Sequence, residues 1–268
     1  MQDSLIIQDL YIYPIKSLGG IRVSEAKVEE RGFNLDRRWM LVDESGIFIS
    51  QRAFPIMALL SVEIGEDSLT VFHVSNPEES IEIPFEEEVE EKVSVTVWDD
   101  EVPAKRVSAE IDGWFSKVLG INVSLVKMPL STERKVDPRY AVNGESVSFA
   151  DGMPYLLIGQ KSLMDLNNKL QEPIPMNRFR PNIVFSGGES FIEDSLKEIR
   201  IGEVNFQIVK PCARCVMTTI DQATGTKAAE PLKTLASYRK VGNKIFFGQN
   251  VVALSEGTIK VGDEVKPA

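Results

Sequence analysis

Lys210-Pro211-Cys212-Ala213-Arg214-Cys215-Val216-Met217-Thr218-Thr219-Ile220-Asp221 holds both cysteines of the chain, and its flanks decide what kind of fold surrounds it. Ahead of it, Glu203-Val204-Asn205-Phe206-Gln207-Ile208-Val209 alternates polar and apolar residues; behind it come β-branched Val216, Thr218, Thr219 and Ile220. Both flanks predict strands, because period-two alternation and β-branched side chains suit a half-buried pleated backbone. The cysteines are then expected in a turn between strands. A thiolate is a soft metal ligand and a good nucleophile, and a neighbouring guanidinium favours the ionised sulfur, so Arg214 makes Cys215 the candidate for chemistry. A thioredoxin-type CxxC needs a helix opening at its first cysteine, and Val-Met-Thr-Thr-Ile is poor helix material. A zinc site needs four Cys or His ligands, and the chain has two Cys and one His. A pair of small buried hydrophobes is the remaining reading, and the Arg and Pro around the cysteines speak against it.

Outward from this stretch the pattern stays β. Leu10-Tyr11-Ile12-Tyr13, Arg22-Val23-Ser24-Glu25-Ala26-Lys27-Val28, Trp39-Met40-Leu41-Val42 and Val93-Ser94-Val95-Thr96-Val97 are separated by turn signals such as Gly19-Gly20, Glu44-Ser45-Gly46 and Gly65-Glu66-Asp67. That rhythm predicts an all-β unit, a sandwich or partial barrel, over residues 5–98. The acidic run at 86–91 reads as a solvated edge or loop. Ser108 opens a helix with Ile111, Trp114, Phe115, Val118 and Leu119 on one face and Gly120 past its end; Trp114 is expected in the core. A strand over 122–127 leads into 128–151, a connection long enough to be a lid over a pocket or else disordered. A second helix is expected around 162–170, a strand after Asn177-Arg178-Phe179-Arg180-Pro181-Asn182, and a short helix opened by Pro231. Residues 244–247 and 251–254 read as separate strands and 258–265 as a strand pair closing a barrel. Gly187-Gly188 is a turn without the strand-to-helix context of a nucleotide loop.

At 268 residues the chain suits one large or two small domains, divided here at 1–120 and 121–268. The net charge of −10 argues against a nucleic acid polymer as partner, since phosphate backbones are held by clustered Lys and Arg. No apolar run reaches membrane-spanning length and the start is unlike a signal peptide, so no membrane is expected and the location expected is cytoplasmic. Two cysteines make no disulfide framework, which agrees with a reducing compartment. The informative exceptions are short basic islands at Lys16, Arg37-Arg38, Arg178 with Arg180, and Lys210 with Arg214. Brought together, they would form a positive pocket on a negative protein, suited to a small anion such as a phosphate. His73 lies in an alternating strand, as a surface or edge residue would, which argues against Ser-His-Asp and Cys-His schemes.

Tyr13-Pro14-Ile15-Lys16-Ser17, Asp36-Arg37-Arg38-Trp39, Arg178-Phe179-Arg180-Pro181-Asn182-Ile183, the cysteine stretch and the closing Gly257-Thr258-Ile259-Lys260-Val261-Gly262-Asp263 together resemble the MOSC-domain molybdenum proteins. Within that family the chain is similar to amidoxime-reducing components and to bacterial proteins that detoxify hydroxylaminopurines. The resemblance implies a mainly β fold, an N-terminal MOSC-type β domain followed by a MOSC β-barrel with peripheral helices, and a molybdenum cofactor (molybdopterin) between them. It implies Cys215 as the molybdenum ligand and catalytic residue, and Lys16, Ser17, Arg37, Arg180, Asn182 and Arg214 as holders of the pterin and its phosphate. Asp151, Asp221 and Thr218 are candidates for orienting the cofactor or relaying protons, and equally for turn caps and strand edges. Where well-studied members carry hydroxyl residues before a proline, this chain has Gly152-Met153-Pro154. The implied activity is reduction of small N-hydroxylated substrates. A separate electron-donor protein, a flavoprotein or an iron-sulfur or haem carrier, is expected because no cysteine follows Cys215. The other implied role is a protein that binds the cofactor, or carries its sulfur, without reducing anything itself.

Overall fold

The computed structural model describes residues 4–86 and 91–268, so most of the acidic run, 87–90, lies outside the described residues. The fold is mainly β. Its largest sheet runs Val265–Pro267, Glu198–Ile201, Val204–Ala213, Lys244–Ala253, Tyr155–Gly159, Ile183–Ser186, Ile6–Ile12, Ile21–Val23, with Lys240–Val241 paired on Lys244–Ala253. Tyr155–Gly159 and Ile183–Ser186 are its parallel pair, and a parallel pair needs a crossover. The helix Gln160–Asn167 supplies it, close to the predicted 162–170. A second, four-stranded sheet orders Trp39–Val42, Ser124–Lys127, Asp100–Arg106 and Lys92–Val97. Leu60–Ile64, Ser68–His73 and Asn76–Pro84 form a three-stranded meander, and Gly257–Lys260 pairs with Glu25–Glu29, which pairs with Gly32–Phe33. Among the described residues, no helix is long and apolar enough to cross a membrane.

Packing ties the ends of the chain together. Ile7, Leu10, Val28 and Phe33 share one core with Tyr155, Ile199, Phe206 and Val251. Tyr155 sits edge-on between Phe33 and Phe206, at 5.0 and 5.6 Å between ring centroids. Leu5 to Ile12 and Ala26 to Phe33 thus supply core residues to the C-terminal sheet, across the division drawn at 120. A second core gathers Ile15 and Leu18 with Trp39, Leu60, Leu69, Phe115 and Leu125. Over it lies Ala109–Leu119, capped as its sequence predicts: Ser108 Oγ accepts from Ile111 N at 3.2 Å, and Gly120 ends it at φ 70°. Trp114, expected in the core, is half-buried at its margin.

Several local expectations are corrected. The residues after Cys215 form a 3-10 turn, Val216–Thr219, and not a strand. Thr218 and Thr219 turn their hydroxyls back to the carbonyls of Cys215 and Val216, at 3.0 and 2.7 Å, and that local bonding outweighs their β preference. Lys244–Ala253 is one strand rather than two. The closing pair does not pair with itself: Gly257–Lys260 joins Glu25–Glu29, whereas Val265–Pro267 joins Glu198–Ile201. Residues 128–151 are neither a free lid nor disordered. Val136, Val147 and Phe149 are buried, and the buried Arg134 donates to the carbonyls of Ser148, Ala150 and Asp151. The segment is therefore pinned as a wall.

The Tyr155 hydroxyl donates to Glu29 O at 2.5 Å and accepts from Glu29 N at 3.1 Å, fastening the first strands to the C-terminal core. Tyr155→Phe keeps the ring packing and removes both bonds, so it should destabilise by about 1–3 kcal/mol in a urea titration. An unchanged urea midpoint would show that this junction contributes nothing.

Candidate functional site

Two of the quoted motifs are knitted into one unit. Lys16 N donates to Trp39 O at 2.8 Å, Arg37 N to Tyr13 O at 2.8 Å, and Tyr13 N to the buried Asp36 Oδ1 at 2.8 Å. The third motif closes on them through the Tyr13 hydroxyl, which donates to Pro181 O at 3.0 Å, and Arg180 Nη1, which donates to Leu18 O at 2.7 Å. Tyr13 thereby receives two guanidiniums, with Arg180 4.2 Å and Arg37 4.5 Å from its ring centroid. Gly20 lies against that ring so closely that a Cβ there would collide with it.

The cysteine stretch reaches the same place by a different device. In pairing with Lys244–Ala253, the strand Val204–Ala213 shifts register between Ile208 and Lys210 and again between Pro211 and Ala213. Such bulges re-aim side chains and suit a proline, which has no N–H to give the ladder. Cys212 is half-buried and Cys215 exposed. The guanidinium of Arg214 does not serve Cys215: its Nη1 lies 2.9 Å from Cys212 Sγ and its Nη2 donates to Phe179 O at 2.6 Å. The adjacency argument that favoured Cys215 is therefore replaced by position, an exposed thiol at the head of the 3-10 turn.

Lys16, Ser17, Arg37, Arg180, Asn182, Arg214 and Cys215 all line one open cleft of about 1270 Å³. Among the described residues, nine cationic and four acidic side chains line it, on a chain of net charge −10. Arg178 belongs to the wall as well, donating to the carbonyls of Thr218 and Glu230 and so holding the cysteine turn. Arg38 does not join: it pairs with Glu29 at 2.7 Å. Of the three proton-relay candidates, only Asp151 reaches the cleft. Asp221 Oδ1 caps its own turn through the amides of Ala223 and Thr224, both at 2.9 Å, and Thr218 bonds back to Cys215 O.

Charge here is costly and incompletely compensated. Burial pulls the Lys16 ammonium down to about 8, against the support of Asp151 at 2.5 Å, and pulls Arg180 down to about 10. Desolvation would raise the Asp151 carboxyl, but Lys16 and the Trp98 indole N–H hold it well below the usual carboxylate range. Arg37 is lowered by burial and more than restored by Asp36 at 2.6 Å. Ser17 Oγ, Arg180 Nη2 and Arg214 Nε are buried without a hydrogen-bond partner among the described residues. Six non-glycine residues there have positive φ, and Ser17, Arg37, Trp98 and Arg180 are the four that line the cleft, at 68°, 51°, 58° and 53°. Strain and orphaned donors concentrated in one cationic cleft describe a pocket shaped for an anionic ligand. Phosphate and pterin edge atoms fit that donor set, and a soft metal fits the exposed thiol. Asn182 is mostly committed elsewhere, its side chain bonding Arg37, Leu156 N and Tyr11 O. Sequence reasoning missed Trp98 and Arg134, which line the cleft from turns and loops that no periodicity marks, and Arg52, which packs behind them on the Trp98 ring.

The MOSC N-terminal beta barrel domain matches residues 4–122, and the MOSC domain matches residues 144–266. Human "Mitochondrial amidoxime-reducing component 1" is 31% identical, over 97% of this chain and 82% of its own length; the mouse protein of that name is 33% identical, over 97% and 81%. "Molybdenum cofactor sulfurase" of Arabidopsis thaliana is 31% identical over 97% of this chain but only 35% of its own length.

A depressed lysine gives a signed test. Between pH 8 and 10.5 the folded Lys16 has lost a proton that the unfolded chain still holds, so its contribution to stability rises with pH over that window. Its attraction for an anion runs the other way, complete below about 8 and lost above it. Sulfate, doubly charged throughout, should therefore bind about fivefold or more weakly at pH 9.5 than at pH 7 by calorimetry, and Lys16→Met should flatten that profile. A flat profile in the unmutated chain would remove Lys16 from the anion site.

Proposed function

This chain belongs to the family of MOSC-domain proteins, and from that premise we propose that it is a molybdenum-cofactor-dependent reductase of N-hydroxylated compounds, such as hydroxylamines, amidoximes and N-hydroxylated base analogues. The observation that carries the reading is the convergence of Cys215 with Lys16, Ser17, Arg37 and Arg180 in one cleft where Ser17 Oγ, Arg180 Nη2 and Arg214 Nε are buried without partners among the described residues. Lys16, Ser17 and Arg180 would bind the phosphate of the cofactor, with Arg37 and Asn182 setting the wall behind it. Cys215 would offer its thiolate to the metal. When bound, the cofactor supplies the two-electron reductant for cleavage of the N–O bond. The overall change consumes two electrons and two protons and yields the amine or amidine and water. Asp151 lies at the cleft, paired with Lys16, where it can hold a proton-donating water or orient a polar substrate. Arg214, on Cys212 Sγ and Phe179 O, would fix the shape of the cysteine turn and would not tune Cys215 directly.

The reading includes a separate electron-donor protein, a flavoprotein or an iron-sulfur or haem carrier, to return the cofactor to its reduced state. The same cleft would serve a protein that only binds and hands on the cofactor, and turnover separates the two. In protein from a molybdenum-replete host, Arg180→Ala and Lys16→Met should lower molybdenum and pterin content together at least about fivefold while the fold persists. Cys215→Ser should abolish dye-driven reduction of an amidoxime, because a hydroxyl is a harder and far less acidic ligand. Cys212→Ser, which keeps an acceptor for Arg214, should retain a substantial part. A loaded but inert unmutated protein would favour the carrier, and full activity in Cys215→Ser would remove the ligand assignment.

A further inference from the structure

We propose that Trp98 is the platform on which the substrate lies, a fixed aromatic face at the cleft that selects planar aromatic N-hydroxylated compounds over small aliphatic ones; this deepens the reductase reading and rests on it. The strands Lys92–Val97 and Asp100–Arg106 pair with Val97 opposite Asp100, which leaves Trp98-Asp99 as a two-residue hairpin loop. Its first position has φ 58°, the conformation for which such turns take glycine. Tryptophan is a poor choice there for the fold. The side chain also stays 46% exposed.

The ring is nevertheless held in orientation. The guanidinium of Arg52 lies 4.2 Å from its centroid, Phe48 packs against it at 5.2 Å and 55°, and its Nε1 donates to Asp151 Oδ1 at 3.2 Å. Asp151 in turn pairs with Lys16, so the indole is wired to the anion-binding side of the cleft that it lines. An aromatic ring that the fold strains to present, fixes by a hydrogen bond and a cation, and leaves half open to a cleft is a stacking surface. An aromatic amidoxime or an N-hydroxylated purine offers a flat ring to match it, whereas an aliphatic amidoxime offers none.

The test compares Trp98→Gly, which removes the ring and relaxes the turn, with Trp98→Phe, which keeps a ring and drops the N–H. In the cofactor-loaded protein, Trp98→Gly should raise KM for benzamidoxime about tenfold, the order expected for one lost stacking partner. It should change the KM for acetamidoxime far less, and leave the molybdenum content and the melting temperature near those of the unmutated protein. Trp98→Phe should recover most of the benzamidoxime KM. A second readout needs no turnover: benzamidoxime should quench the part of the tryptophan emission that Trp98→Phe removes, and acetamidoxime should not. If the loaded protein reduces neither compound, the reductase reading fails and the quenching titration still decides the role of Trp98. Equal changes in KM for both compounds, an absence of Trp98-dependent quenching, or loss of molybdenum or of melting temperature in Trp98→Gly would each overturn the proposal.

Discussion

Two guanidiniums, those of Arg37 and Arg180, lie against the single ring of Tyr13 with the buried Lys16 ammonium in the same cleft wall, and the architecture of the site follows from the cost of keeping these charges there. Taking a charge out of water costs several kcal/mol unless it is paired and hydrogen-bonded, at about that order per ion. Asp36 compensates Arg37, Asp151 compensates Lys16, and the Tyr13 ring takes the faces of both guanidiniums. Arg180 is left with a carbonyl, a ring and one idle nitrogen. An anion in the cleft would complete this arrangement, which is why the partners of these side chains are as informative as the side chains themselves.

Holding such a cluster requires rigid backbone from distant parts of the chain. The first strand, Ile6–Ile12, runs beside Ile183–Ser186 in the large sheet, which brings the turn after residue 12 to the turn before residue 183. Trp39–Val42 begins the second sheet, so Arg37 sits where the two sheets meet. The bulged end of Val204–Ala213 then delivers Cys212 and Cys215 to the same cleft. The pinned segment 128–151 forms its outer wall through Arg134, which also pairs with Asp100 beside the hairpin that carries Trp98. The positive φ values of Ser17, Arg37, Trp98 and Arg180 mark the points where the backbone bends to aim side chains inward.

Much of the fold and the residue types of the site are legible in the sequence. Residue types at the basic islands and around the cysteines pointed to a small anion and a soft metal, and turn signals pointed to a β fold. The helix after Ser108 was readable because its cap, apolar face and terminal glycine agree. Three kinds of feature were not legible. Thr218 and Thr219 carry a strand's composition but bond to carbonyls three residues back, and no scale of propensity contains that choice. Arg214 stands beside Cys215 in sequence and on Cys212 in space, because the extended backbone at Cys215 turns neighbouring side chains apart. Trp98, Arg134 and the strand pairings of the C-terminus depend on which distant segment lies opposite, and alternation specifies a face without naming a partner.

We propose that Cys215, and not Cys212, presents its sulfur to molybdenum, with the surrounding cations holding the phosphate of the cofactor. Anomalous diffraction at the molybdenum edge, from crystals of the cofactor-loaded protein, tests it most directly. One anomalous peak is expected in the cleft within bonding distance of Cys215 Sγ, with the phosphate density against Lys16, Ser17 and Arg180. A peak bonded to Cys212 Sγ, or one outside the cleft lined by Arg37 and Arg180, would contradict it.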